Sequence, residues 1–203
     1  MNPIEYKPLK RSQFIGPAAK AAQALDNIIM RTQKDCSPLK ILFYGDAGVG
    51  KSALVEYLLR QLDTSQWSVT RLSGTEVRLE DVQAFNARLC YRDLFSTYKV
   101  LWIDEMDRAS HTARAAMLTM LDTLPDHVAI LVTSNKAVDE MEKRFFTRFQ
   151  AFEIKSPTSD QIRDLLKRWK NLRADAINRI AELCCGNVRH ALLEAQTELD
   201  QAA

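Results

Sequence analysis

Lys40-Ile41-Leu42-Phe43-Tyr44-Gly45-Asp46-Ala47-Gly48-Val49-Gly50-Lys51-Ser52 is the stretch on which the reading of this chain turns. It opens as a short apolar run, which reads as a buried strand, and passes directly into glycines. From Lys51 onward the apolar residues Leu54, Val55, Leu58, Leu59 and Leu62 recur at helical spacing, so a helix follows. Between strand and helix, Gly45, Asp46, Ala47, Gly48, Val49, Gly50, Lys51 and Ser52 fit the pattern G-x-x-x-x-G-K-[ST]. Such a loop lets backbone N–H groups curl around phosphate oxygens, because glycine adopts the required dihedrals at little cost. The start of the following helix adds favourable partial charge. In this pattern Lys51 reaches the β- and γ-phosphates of a nucleotide and Ser52 ligates Mg²⁺.

Working outward, four more apolar runs read as strands, over residues 68–72, 99–103, 128–132 and 151–154. Helical patterns separate them, over 79–90, 110–124 and 138–146. Ser110 is placed as an N-cap and Pro125 as a stop. Before the loop, a breaker-rich segment over residues 1–16 precedes a helix that starts after Pro17. Strands alternating with helices predict an α/β fold whose parallel sheet is covered on both faces. From Ser156 the pattern changes to three helices over 159–169, 174–184 and 188–201, with no strand between them. The predicted organisation is a core over 1–155 and a small helical domain over 156–203.

The totals agree with this division. The chain has 203 residues, 46% hydrophobic and 27% charged, which excludes disorder and collagen-like repeats. Lys plus Arg number 28 and Asp plus Glu 26, so contact with nucleic acid must come from a local patch rather than a basic coat. No apolar run approaches the ~20 residues of a membrane span, and the first residues lack the apolar stretch of a secretory signal. Cys36, Cys90, Cys184 and Cys185 form no C-x-x-C pair and read as reduced thiols in a cytoplasmic protein.

Polar residues gather where strands end. Val100-Leu101-Trp102-Ile103-Asp104-Glu105 delivers two carboxylates at a strand's C-terminal edge, where ligands bind in open parallel sheets. Asp104 is suited to hold Mg²⁺ through water, and Glu105 to polarise an attacking water. Thr133-Ser134-Asn135 closes the fourth strand, with Asn135 placed to orient that water and contact the γ-phosphate. Arg144 and Arg148, four residues apart, share a face if the short helix continues that far, and an arginine at a subunit edge stabilises transition-state charge in a neighbour's site. Arg189, in the first turn of the last helix, is a candidate for reaching a nucleotide from the helical domain.

In this order and spacing, the phosphate loop, strand-end acids, Asn135, the arginine pair and Arg189 resemble the AAA+ ATPase family over nearly the whole chain. The resemblance implies a five-stranded P-loop sheet of order 5-1-4-3-2 with a three-helix lid. It casts Asp104 and Glu105 as the Walker B pair, Asn135 as sensor 1, Arg148 as the arginine finger and Arg189 as sensor 2. ATP and Mg²⁺ are the implied cofactors. A finger acting in trans implies a homo- or hetero-oligomer.

Two further segments narrow the resemblance. Tyr6-Lys7-Pro8 and Phe14-Ile15-Gly16 are similar to the segment before the phosphate loop in clamp loaders and the Holliday-junction branch-migration ATPase. There it packs on adenine, so Tyr6, Pro8, Ile15 and Gly16 are base-pocket candidates. Gly186-Asn187-Val188-Arg189-His190-Ala191-Leu192 resembles the clamp-loader sensor 2 region. The span from Leu121 to Val128 leaves no room for the β-hairpin that AAA+ helicases insert there. Departures are Thr147-Arg148-Phe149 where clamp loaders have Ser-Arg-Cys, Met106 within Asp104-Glu105-Met106-Asp107, and an end at Ala203 without the helical collar. The resemblance therefore describes a minimal module.

In clamp loaders the helix after Walker B touches DNA phosphates, which makes Arg108, Ser110, His111, Thr112 and Arg114 candidate DNA ligands. The same residues also suit an ordinary solvated helix start. The functional expectation is a DNA-associated ATPase, like a clamp or helicase loader. The alternatives are a protein remodeller and an ATP-controlled assembly scaffold. Ser73-Gly74-Thr75-Glu76-Val77-Arg78 lacks the aromatic that a threading pore loop needs.

Overall fold

The computed structural model describes residues 2–35, 37–62, 64–92, 96–136 and 143–201. Five parallel strands form one sheet: β1 Leu39–Tyr44, β2 Val69–Ser73, β3 Lys99–Asp104, β4 Val128–Ser134 and β5 Gln150–Glu153. Their spatial order is β2-β3-β4-β1-β5, the expected 5-1-4-3-2 order read from the other edge. The placement follows hydrophobicity. All seven residues of β4 are buried, and β1 and β3 are buried over most of their length. The edge strands β2 and β5 keep only half-buried or exposed positions. Central parallel strands are covered on both faces and must be apolar throughout, whereas edge strands need not be.

The helices are α1 Gly16–Asp35, α2 Lys51–Gln61, α3 Leu79–Ala87, α4 His111–Leu121, α5 Lys143–Phe146, α6 Ser159–Leu166, α7 Ala174–Leu183 and α8 Val188–Gln201. Several stop short of their expected ends. Helix α4 closes at Leu121 rather than 124, with Asp122 as its C-cap, and Leu124, the residue before Pro125, is disfavoured in helical backbone. The first part of the helix expected over 138–146 lies outside the described residues, and α5 is its last turn.

Contacts group the chain into two units. One comprises Ala24–Tyr44 and Leu58–Glu153 and contains the whole sheet. Its core includes Leu101 and Ile103 from β3, Ile130 and Val132 from β4, Met117 and Leu121 from α4, and Phe145 from α5. The other comprises the segment up to Gln23, Gly45–Tyr57 and the chain from Ile154 onward. It holds the phosphate loop, the N-terminal segment and helices α6, α7 and α8. Its helical core is built on Ile162, Leu166, Ile177, Ile180, Ala191 and Ala195, with Ile15 packed against it.

Helix α6 begins at a reciprocal cap. Gln161 N–H donates to Thr158 Oγ1 at 3.3 Å, and Thr158 N–H donates to Gln161 Oε1 at 3.1 Å. Such a cap stabilises a helix start by ~1 kcal/mol.

Candidate functional site

The phosphate loop lies wholly in the second of these units. Its shape depends on backbone that only glycine adopts freely. Gly48 has φ +79°, and a Cβ there would stand 2.0 Å from Asn187 Oδ1. Gly50 has φ +102°, yet a Cβ on it would meet nothing within 4 Å. The loop thus presents open space on that side, as a cradle for phosphate requires. Lys51 is only 7% exposed. Its Nζ donates to Gly45 O at 2.7 Å and to Asp46 O at 2.6 Å, inside the ring the loop describes. Val49 is buried beneath the loop, while Asp46 and Ala47 are exposed. Ser52, half-buried, follows Lys51 in the first turn of α2.

The start of α8 is tied to this loop. Arg189 N–H donates to Gly48 O at 3.2 Å. Asn187 Oδ1 accepts from His190 N–H at 3.0 Å, capping the helix while filling the space beside Gly48. The exposed Arg189 side chain leaves from this anchored turn. Ser156 Oγ donates to Asp46 Oδ2 at 3.0 Å on the other side. The left-handed backbone of Cys185 (φ +45°) and Gly186 (φ +84°) turns the chain from α7 into α8.

The N-terminal base-pocket candidates belong to the same unit. Tyr6 is half-buried, and its hydroxyl donates to Gln13 O at 2.7 Å. Arg168, just beyond α6, donates to the Tyr6 hydroxyl, and to Gln13 O at 2.9 Å. Trp169 meets the Tyr6 ring edge-on at 5.4 Å. Burial pushes the Tyr6 phenol upward, and Arg168 opposes that shift. Pro8 is half-buried nearby in sequence, Ile15 packs on the helical core, and Gly16 turns into α1 at φ +52°. A Cβ at Gly16 would collide with Gln161 Oε1 at 2.3 Å. Sequence reasoning did not reach Arg168, which belongs to no motif, and it quoted Asn187 beside Arg189 without assigning it a partner.

In the sheet-bearing unit the acids sit where β3 ends. Asp104 Oδ1 accepts from Thr133 Oγ1 at 2.5 Å, and Asp104 Oδ2 faces Arg71 Nη2 at 3.4 Å. Arg71 lies over the Trp102 ring, 3.8 Å from its centre. Glu105 takes left-handed backbone, φ +56°. Its N–H donates to Thr133 Oγ1 at 2.9 Å, and its Oε1 accepts from Asn135 Nδ2 at 3.3 Å. Asn135 N–H in turn donates to Asp107 Oδ1 at 3.0 Å. The structure therefore brings Glu105 and Asn135 together.

The candidate DNA ligands follow immediately. Arg108 Nη1 forms an ion pair with Glu105 Oε2 at 2.9 Å. Ser110 Oγ accepts from Ala113 N–H at 3.2 Å, so it is the N-cap of α4, and it also shares a hydrogen bond with Thr112 Oγ1. His111 and Thr112 are exposed in the first turn, while Arg114 is half-buried.

Arg148 does not project alone. It grips Asp122 with two bonds, Nε to Oδ1 at 2.6 Å and Nη2 to Oδ2 at 2.9 Å. Its Nη1 donates to the Arg144 carbonyl at 2.8 Å. The Arg148 hydrogen bond holds the Asp122 carboxyl below its ordinary range. Arg144 is exposed on α5. Cys90 and Cys185 are exposed free thiols, whereas Cys184 is buried and burial pushes its thiol upward. Cys36 lies outside the described residues. Among the described residues, no helix is long and apolar enough to cross a membrane.

A parallel sheet of this strand order, with a glycine loop leading from β1 into α2 and acids closing β3, defines a P-loop nucleotide-binding fold. The family model for the AAA family, ATPases associated with various cellular activities, matches residues 41–157. That is more than half of the chain, which therefore belongs to this family. Among curated proteins it is 24% identical over 165 residues to the probable replication factor C subunit 5 of Dictyostelium discoideum, covering 75% of this chain and 47% of the relative. It is 22% identical over 200 residues to the replication factor C small subunit of Methanoculleus marisnigri, covering 93% and 60%. The chain spans about half to three-fifths of the length of these relatives.

Among solved structures, the Thermotoga maritima RuvB Holliday junction branch migration motor superposes with a TM-score of 0.73 at 20% identity, over 94% of this chain and 64% of that one. A DNA polymerase III gamma subunit-related protein of Thermotoga maritima gives a TM-score of 0.62 at 16% identity, over 87% and 59%. These likenesses carry the fold.

Proposed function

We propose that this chain is an ATPase that binds ATP with Mg²⁺ and hydrolyses it at a subunit interface to drive a DNA-associated assembly step, as a clamp or helicase loader does. The observation that carries the reading is the phosphate loop, with left-handed glycines and a buried Lys51 whose ammonium is held on loop carbonyls. The residues fit their group. The open side at Gly50 admits a phosphate, and Ser52 and Asp104 offer the hard oxygen chemistry that Mg²⁺ selects. When bound, Mg²⁺ would neutralise charge on the β- and γ-phosphate oxygens.

The chain's own groups have separable tasks. Gly45–Ser52 and Lys51 bind phosphate. Asp104 and Ser52 hold the metal shell. Glu105 orients and polarises the attacking water, with Asn135 fixing the Glu105 carboxylate. Tyr6, Pro8, Ile15 and Gly16 contribute to the base pocket, and residues from 156 onward act as a lid from which Arg189 reaches the nucleotide. Arg148, with Arg144 beside it, serves a neighbouring subunit. Replication factor C relatives support the DNA-associated reading, and Arg108, Ser110, His111, Thr112 and Arg114 are its proposed phosphate contacts.

The test is the ATPase rate with and without duplex and primed DNA over a salt series, with particle size followed in ATP and ADP. Stimulation by DNA that weakens with salt supports the reading. Turnover indifferent to DNA but raised by a protein favours remodelling. Growth in size with ATP and no stimulated turnover favours a scaffold.

A further inference from the structure

Thr133 has no role in the reading above, yet both acids at the end of β3 meet at its hydroxyl. It is 1% exposed at the C-terminal end of β4. Strands β3 and β4 pair in parallel with Ile103 opposite Val132, which carries Thr133 alongside Asp104. The Thr133 hydroxyl donates to Asp104 Oδ1 at 2.5 Å and accepts from Glu105 N–H at 2.9 Å. A hydroxyl can do both at once, whereas the equally shaped valine can do neither.

The two bonds have different consequences. The first leaves Asp104 Oδ1 committed to the protein, which turns Oδ2 toward the side where Arg71 stands at 3.4 Å. The second holds the amide of a residue in unfavourable left-handed backbone, φ +56°. Tight packing surrounds that turn. A Cβ on Gly74 would lie 2.0 Å from Glu105 O, and Gly74 N–H donates to Asp104 O at 2.7 Å. Two residues along the same strand, Asn135 binds the Glu105 carboxylate and the Asp107 side chain. The end of β4 is thus a template against which the acid turn is set.

We propose that Thr133 is a positioning residue: its hydroxyl fixes the rotamer of the metal-holding carboxylate of Asp104 and the backbone of the water-polarising Glu105 together. The proposal rests on the ATP-hydrolysing reading of these acids, and its test separates the two. Thr133→Val keeps the shape and removes the hydroxyl, while Thr133→Ser keeps the hydroxyl and removes the methyl.

Two readouts are needed. Hydrogen exchange of the Glu105 amide reports the turn without nucleotide, and should be about tenfold faster in Thr133→Val. Steady-state turnover against Mg²⁺ should show kcat lowered about tenfold and half-activation moved to several-fold higher Mg²⁺, with KM for ATP within about twofold. Thr133→Ser should stay within about threefold of the parent in both. Unchanged exchange and turnover in Thr133→Val overturn the proposal. So does a Thr133→Ser variant as impaired as Thr133→Val, because the methyl would then be the working part. If Thr133→Val and Thr133→Ala both fail to fold, Thr133 is a packing residue and the proposal also falls. If the parent protein hydrolyses no ATP, the functional reading fails, while amide exchange still decides what Thr133 holds.

Discussion

Replacing Gly48 by alanine perturbs two things whose costs can be separated. The residue sits at φ +79°, and an L-residue in left-handed backbone costs about 1–2 kcal/mol. The added Cβ also falls 2.0 Å from Asn187 Oδ1, so the Asn187 side chain must leave. That side chain accepts the His190 N–H at 3.0 Å as the cap of α8, and losing such a cap costs ~1 kcal/mol. Gly48→Ala should therefore destabilise by about 2–3 kcal/mol, roughly 4–12 °C in Tm for a chain of this size. Asn187→Ala alone should cost ~1 kcal/mol. In the double variant the cap is lost only once, so it should be no less stable than Gly48→Ala. The assay is urea unfolding of the four proteins without nucleotide, compared as a double-mutant cycle. A double variant that costs the full sum of the singles refutes the idea that Asn187 and Gly48 share one space.

Other expectations concern chemistry and charge. Lys51→Ala should abolish ATP binding in a fluorescent-nucleotide titration, whereas Glu105→Gln should bind ATP and leave it unhydrolysed over the time in which the parent turns over. Arg148→Ala should spare nucleotide affinity yet cut turnover by about 10³ or more, and Arg144→Ala, measured alongside, shows how the role divides between them. Asp122 lies below its ordinary value of 3.8 because of the Arg148 hydrogen bond. A depressed folded pKa means that the pair's contribution is present above that ordinary value and is lost as pH falls through the folded one. A carboxyl titration by NMR should then find the Asp122 pKa raised in Arg148→Ala, and an unmoved value would contradict the assignment. Alkylation followed by mass spectrometry should label the exposed Cys90 and Cys185 before the buried Cys184, whose thiol is pushed upward by burial.

Much of the fold was legible because local signals coincide with burial. The run Val128 to Val132 is apolar at every position since β4 is covered on both faces. Gly45 to Ser52 reads as a phosphate loop because its glycines are conformational necessities. Strand order came from resemblance, as periodicity says nothing about which parallel neighbours pair. What stayed hidden are side-chain partnerships between distant segments. Arg148 reaches back 26 positions to Asp122, and Arg168 reaches back 162 positions to Tyr6. Thr133 was visible as part of a polar strand end, but its hydroxyl gains meaning only from the register that sets β4 beside β3. Helix ends were misjudged where capping and the residue before a proline, rather than apolar spacing, decide them.

The division of the chain into two contact units has a consequence for its birth on the ribosome. The sheet-bearing unit is complete once Glu153 has emerged, so its strands and acid turn can settle early. The phosphate loop is translated long before that, but it must wait. Its partners Ser156, Asn187 and Arg189 come from the last quarter of the chain, and the Ser156–Asp46 bond alone spans 110 positions. At ~5–20 residues per second, that wait is several seconds to about half a minute. The contacts that fix the loop therefore form only after those of the sheet, and a stalled or truncated product retaining the sheet would lack them.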